Sequence, residues 1–153
     1  MRLEPLYMLR FRYPEDWQVD LTGPGGKEEQ HFYIAEGTCS GSIAGRFRAA
    51  NHPRRRTDRT FVTDLQGVIE TADGAVIMVD IHGYGRPYPQ GRRQFVGAVW
   101  HLSEHENYKR LNDVVCTLAG EVRVPDIPAE RLQQIDVELV CDVSELIWEA
   151  PAG

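Results

Sequence analysis

Asp64, Gln66, Asp80, His82 and Tyr84 are the residues of this chain whose types and spacing fit proton-transfer chemistry. A carboxylate beside an imidazole orients and tunes it, and a phenol adds a second group able to hold or release a proton. The five fall in phase. Between Ala75 and Tyr84, the residues Val76, Met78, Asp80, His82 and Tyr84 share one face of an extended segment, and Ala75, Ile77, Val79, Ile81 and Gly83 share the other. On the preceding segment Asp64, Gln66, Val68 and Glu70 oppose Leu65, Gly67, Ile69 and Thr71. A polar face in phase on two adjacent strands either lines a cavity or meets water, and alternation alone fits both. Lining a cavity, Asp64, His82 and Tyr84 are candidate catalytic residues, with Gln66 and Asp80 as ligand contacts. Facing water, they form an ordinary solvated sheet surface.

Other candidates lie outside this pair of segments. Asn51 to Arg59 is a basic loop in which Asn51, His52 and Arg56 are candidate ligand contacts, since guanidinium groups bind carboxylate or phosphate oxygens bidentately. Its plainer reading is a solvated turn. Trp100 is a candidate ligand stacker and Asn112 a candidate polar contact, although the first also suits a core or rim and the second a cap or turn. His101, Glu104 and His105 spell the inverted zinc-protease pattern. That chemistry needs both histidines on one helical face, and a capping box over Ser103 to Glu106 starts the helix too late to include His101. No metal and no cofactor is therefore expected. Gly26-Lys27 is no phosphate loop, because the earlier glycine and the following Ser or Thr are missing.

The positioning elements are mostly strands. Phe61 to Tyr84 reads as two long strands folded on Ala72-Asp73-Gly74, with Asp-Gly supplying the tight turn. Leu3 to Tyr13 alternates over its second half, placing Tyr7, Leu9, Phe11 and Tyr13 on one face. Glu15 to Gln30 reads as loop through its Gly and Pro content. His31 to Ala35 and Gly41 to Ala49 read as strands, with Gly41 and Gly45 marking bulges or close approach. Gln94 to Leu102, Asn112 to Val122 and Ile135 to Leu146 complete the set, with a short helix from Glu104 and a linker over Pro125 to Gln134. About eight strands without alternating helices predict an all-β fold: an antiparallel, closed eight-stranded barrel whose interior holds side chains or one small ligand.

At 153 residues the chain reads as a single domain spanning 1–153, needing no disulfide or metal staple. The net charge of -6 argues against a nucleic-acid or anionic-membrane surface. Three cysteines without paired spacing, and no leader or apolar run of bilayer length, predict a cytoplasmic protein with reduced, buried thiols.

Several stretches together resemble a known family. Gly37-Thr38-Cys39-Ser40-Gly41 with Gly45-Arg46, then Glu70 to Ile77, then Tyr108 to Asn112, with Leu3 to Leu6 at the start, are similar to the bacterial family catalogued as domain of unknown function 3237. The resemblance covers nearly the whole chain. It implies an antiparallel barrel of the calycin or allene-oxide-cyclase type, with no settled activity. Where members tend to have Gly-x-Asp-Trp, this chain has Ala49-Ala50-Asn51-His52. Three functions fit: a cofactor-free acid–base enzyme (isomerase, cyclase, hydratase or lyase) acting on a small, largely apolar molecule; a carrier or sensor using the same cavity; and an interaction module with a filled barrel. A small-molecule ligand is the expected partner, with assembly into a homo-oligomer left open.

Overall fold

Alternating sequences rich in β-branched and aromatic residues become strands because each can bury one side of a pleat. The computed structural model describes residues 1–89 and 91–153. Its strands are β1 (Arg2–Gly23), β2 (Gly26–Gly41), β3 (Gly45–Asn51), β4 (Arg54–Arg55), β5 (Phe61–Thr71), β6 (Val76–Arg86), β7 (Gln94–Leu102), β8 (Cys116–Arg123) and β9 (Glu138–Ile147). All pair antiparallel in one sheet, in the order β1-β9-β8-β7-β6-β5-β3-β2, and β2 pairs back onto β1 to close the ring. The expected barrel of eight long strands is what forms. β4, two residues long, bridges β2 and β5 at one end.

The inward residues are apolar and packed. Leu9, Phe47, Leu65, Ile69, Ile77, Val99, Cys116 and Val143 are essentially sealed from water, and Phe47 meets Phe11 with ring centroids 5.5 Å apart. Cys39, Cys116 and Cys141 are buried and free, acting as small core residues. Where β1 and β2 cross the core they approach closely: a Cβ on Gly37 would lie 2.0 Å from the carbonyl oxygen of Arg10.

One end is closed. Ile43 from the β2–β3 turn and Leu111 join the core there. The β5–β6 hairpin turns on Asp73-Gly74 as expected, with Gly74 at φ +83°. Asp73 then accepts bonds from Tyr108 Oη (3.1 Å) and Asn107 Nδ2 (3.2 Å), tying the hairpin to the segment after β7. These donors and Thr71 hold the Asp73 carboxyl down at about 2, with Thr71 the largest cause.

Two sequence expectations are corrected. Glu15 to Gln30 is not loop: β1 and β2 run on past the barrel as a two-stranded ribbon, because Trp17, Val19 and Leu21 continue the alternation and the glycines only supply its tip. Those three side chains lie exposed along the ribbon. The helix expected from Glu104 is instead a 3-10 turn at Lys109–Asp113, with two others at Ala129–Arg131 and Gln134–Asp136. The capping box does not close because Glu106 pairs with Lys109, while Asn112 takes the Ser103 backbone amide at 2.8 Å. Among the described residues, no helix is long and apolar enough to cross a membrane.

Candidate functional site

The barrel is filled at the hairpin end and open at the other, where a cavity of about 290 Å³ remains. Its position follows from register. Asn51 lies opposite Tyr33 on one side and Leu65 on the other, and Thr63 lies two residues nearer the end on β5. Phe95, near the start of β7, pairs with Gly85, itself opposite Phe61, and Val122 pairs with Leu139 across β8 and β9. Tyr13, Phe61, Phe95, Val122, Val137 and Leu139 supply a mainly apolar wall. Into this wall project the polar groups of Tyr33, Asn51, Thr63, Arg55 and Arg93.

These polar groups form a chain. Tyr13 and Tyr33 stack with centroids 4.4 Å apart, and His31 stacks on Tyr33 at 5.6 Å. Asn51 Nδ2 donates to Tyr13 Oη at 2.9 Å, while Asn51 Oδ1 accepts from the Asp64 amide at 3.3 Å. Tyr33 Oη lies 3.1 Å from His31 Nδ1, donating to it when the ring proton sits on Nε2. His31 Nε2 is buried without a hydrogen-bond partner, with Glu29 Oε2 3.8 Å away. Glu29 itself is held by Lys27 and by Arg55 Nη1 at 3.1 Å.

Burial sets the protonation states. It raises both Tyr13 and Tyr33 above the usual phenol range, against the Asn51 bond in the case of Tyr13. It lowers His31, and Glu29 opposes that only in part, so the ring is neutral near pH 7 and free to accept a proton. Arg93 is lowered too, first by burial and then by repulsion from Arg55.

The residues singled out in the sequence fall mostly elsewhere. Asp64, His82 and Tyr84 are not inside the barrel. Their side of β5 and β6 is the outer wall, where the Asp64 and His82 side chains are 54% and 47% exposed. Closing an antiparallel ring turns the apolar side of each strand inward, so the polar face is left to water. Gln66, Asp80 and Trp100 share that outer surface, with Trp100 edge-on to His82 at 5.9 Å. His82 Nε2 approaches Asp80 Oδ1 at 2.9 Å, and Asp64, Asp80 and His82 hold donor atoms within 4.8 Å of one another, a spacing that a metal ion could bridge. Arg56 is exposed and paired with Asp58, and His52 is exposed beside Phe32. Asn112 spends its amide on the Ser103 backbone, donating to its carbonyl oxygen at 3.0 Å. Of the sequence candidates, Asn51 is the one the cavity takes in, being 3% exposed. The Asn51 to Arg59 segment borders the open end through Pro53 and Arg55.

Tyr13, His31, Tyr33, Arg55, Thr63 and Arg93 were missed. Tyr13 carried a signal, lying in phase with the inward Leu9 and Phe11. His31 and Tyr33 carried the same one, an i, i+2 pair of polar-tipped rings in phase with Ala35. Arg93, in a Gly- and Pro-rich connection, carried none. His101 is inward as well but at the closed end, its Nε2 2.9 Å from Tyr7 Oη. It shares no face with His105, which lies in the turn beyond the strand.

No protein-family model matches the chain, and no curated protein matches it. Solved structures do. A β-barrel-like protein from Acinetobacter baumannii AYE is 22% identical with a TM-score of 0.72, over 94% of each chain. A protein of unknown function from Clostridium acetobutylicum is 13% identical with a TM-score of 0.74, over 96% of this chain and 100% of the other. An enzyme from Penicillium herquei is 21% identical with a TM-score of 0.63, over 93% of each. At these identities the likeness is one of architecture: this chain folds as these proteins do.

Proposed function

We infer that the protein binds a small, largely apolar molecule in the cavity at the open end of the barrel. The observation that carries this reading is the cavity itself: an apolar wall broken by a few convergent polar groups, in a barrel otherwise filled. It counts against a fully filled interaction module. Kinship with the family catalogued as domain of unknown function 3237 belongs to the same reading and is supported by the barrel architecture.

The Tyr33–His31 contact favours catalysis over mere carriage. A phenol facing the ligand, backed by a neutral imidazole 3.1 Å away, is suited to moving a proton to or from bound substrate. Tyr33 would exchange the proton with the ligand and His31 would take it up behind. Such a site needs no cofactor and fits isomerase, cyclase, hydratase or lyase chemistry. The Penicillium herquei neighbour described as an enzyme agrees with a catalytic use of the fold.

Two measurements with 2-acetylnaphthalene test the pair of statements. Ligand-observed NMR should show binding that Thr63→Phe, which intrudes on the inner part of the cavity, abolishes; binding indifferent to that change removes the cavity reading. Deuterium exchange at the acetyl methyl should run above the buffer rate, and Tyr33→Phe should cut the enhancement by about 10²-fold or more without loss of binding. Binding without any acceleration leaves a carrier.

A further inference from the structure

Arg93 is the unusual group of the open end. Its guanidinium is half-buried at the cavity wall, and among the described residues no carboxylate pairs with it and no acceptor takes its N–H groups. Of the two arginines that line the cavity, Arg55 is paired with Glu29, and nearby Arg56, Arg92 and Arg123 have carboxylate partners in Asp58 and Glu121. Taking a cation partly out of water without a counter-charge is unfavourable, so a site that keeps one is suited to a partner that brings the anion. Phe61 fixes where the charge sits. The Arg93 guanidinium carbon stands 4.4 Å from the centre of the Phe61 ring, and that of Arg55 stands 5.2 Å from the same ring. Arg55 adds positive field, but Glu29 already balances its charge through Nη1, although its Nε is buried without a partner. An incoming negative charge offsets both the burial and the repulsion that depress Arg93.

The rest of the wall limits the ligand's body. Tyr13, Phe95, Val122, Val137 and Leu139 offer flat aromatic and branched aliphatic surface. Pockets for drug-sized molecules run from roughly 300 to 1,000 Å³, which puts this cavity at the small end. A one- or two-ring molecule matches that space.

We propose that the ligand of this cavity is a small aromatic or similarly planar apolar acid, whose carboxylate is clamped by the unpaired Arg93 guanidinium while its body lies against Tyr13 and Phe95. This rests on the cavity reading above and adds the ligand's charge and the residue that reads it. A guanidinium meets a carboxylate through two parallel N–H bonds, which orients the acid as well as holding it. The far end of the molecule is then directed into the barrel towards Thr63 and the tyrosine hydroxyls.

The test compares 2-naphthoate with 2-naphthamide, which share shape and differ in charge, by titration calorimetry on the purified protein. Naphthoate should bind about tenfold or more tightly than the amide, the difference expected of a charge-assisted hydrogen-bond pair. Arg93→Gln should erase that preference by weakening naphthoate far more than the amide. Arg93→Lys should restore part of it, and thermal midpoints near wild type for both variants show that the fold is kept. Equal affinities in the wild-type protein overturn the acid-binding proposal and leave the cavity reading standing. A preference that survives in Arg93→Gln overturns the assignment to Arg93. If neither probe binds while the protein is folded, the cavity reading falls and this proposal with it.

Discussion

Two clusters of this barrel each gather a histidine and tyrosine among other polar side chains, and they face opposite ways. On the outer wall Asp64, Asp80, His82 and Tyr84 gather on β5 and β6, with His82 2.9 Å from Asp80. At the inner mouth Tyr13, His31, Tyr33, Asn51 and Arg93 gather around a cavity, with Tyr33 3.1 Å from His31. What separates them is the medium. A charge pair 4 Å apart is worth about 1 kcal/mol in water and about 4 kcal/mol at the effective dielectric of a partly buried site. The outer cluster's charges are damped by solvent, whereas burial displaces the tyrosines, His31 and Arg93 of the inner one from their ordinary protonation behaviour. Composition alone ranks the outer cluster first; environment reverses the order.

The contrast between walls can be broken by substitution. The largest effect is expected at Phe47, which is fully buried on the inner side of β3 and packs on Phe11. Phe47→Ala should lower stability by about 3–5 kcal/mol in urea unfolding, the range for emptying a large core side chain. A loss under about 1 kcal/mol would mean that the interior is not a packed core.

His101, inward at the closed end, sharpens the comparison through pH. Burial pushes it down from the ordinary 6.5 to about 4. The unfolded chain therefore binds this proton at higher pH than the folded one. The stability carried by the neutral ring is complete above pH 6.5, drains away as pH falls from there to about 4, and is gone below. Roughly 3 kcal/mol is at stake. Urea midpoints at pH 7 and pH 4.5 should fall further in wild type than in His101→Asn, and parallel slopes would refute a buried neutral imidazole.

The smallest effect belongs to the outer wall. His82→Ala and Asp64→Asn should each change stability by no more than about 0.5 kcal/mol, as expected for exposed positions. Neither should alter naphthoate affinity. A tenfold weakening on changing His82 would return the site to the outer face.

The fold was legible because it rests on local patterns. Alternation at Tyr7 to Tyr13, at Leu65 to Thr71 and at Ala75 to Tyr84 marks strands, and Asp73-Gly74 marks the hairpin, since both signals act through neighbouring residues. The ribbon over Trp17 to Leu21 was lost to the nearby glycines, although its alternation was present. The family-like stretches around Asp73 and Tyr108 meet through the Tyr108–Asp73 bond, at the end of the barrel away from the cavity. They report how that end is closed.

The site was much less legible, for a reason of geometry. A strand's two faces are named by alternation, but which face becomes the interior is decided only when β2 pairs with β1 and the ring closes. Closure turned Asp64, His82 and Tyr84 outward and brought Tyr13, Tyr33, Asn51 and Arg93 together from four separate segments of the chain. By itself the sequence determined the strands, their antiparallel order and the apolar side of each. The tertiary structure alone decided that an open end remains, that Arg93 stands there unpaired among the described residues, and that His31 lies behind Tyr33. Those facts depend on distances between residues far apart in the chain, and no local pattern encodes them.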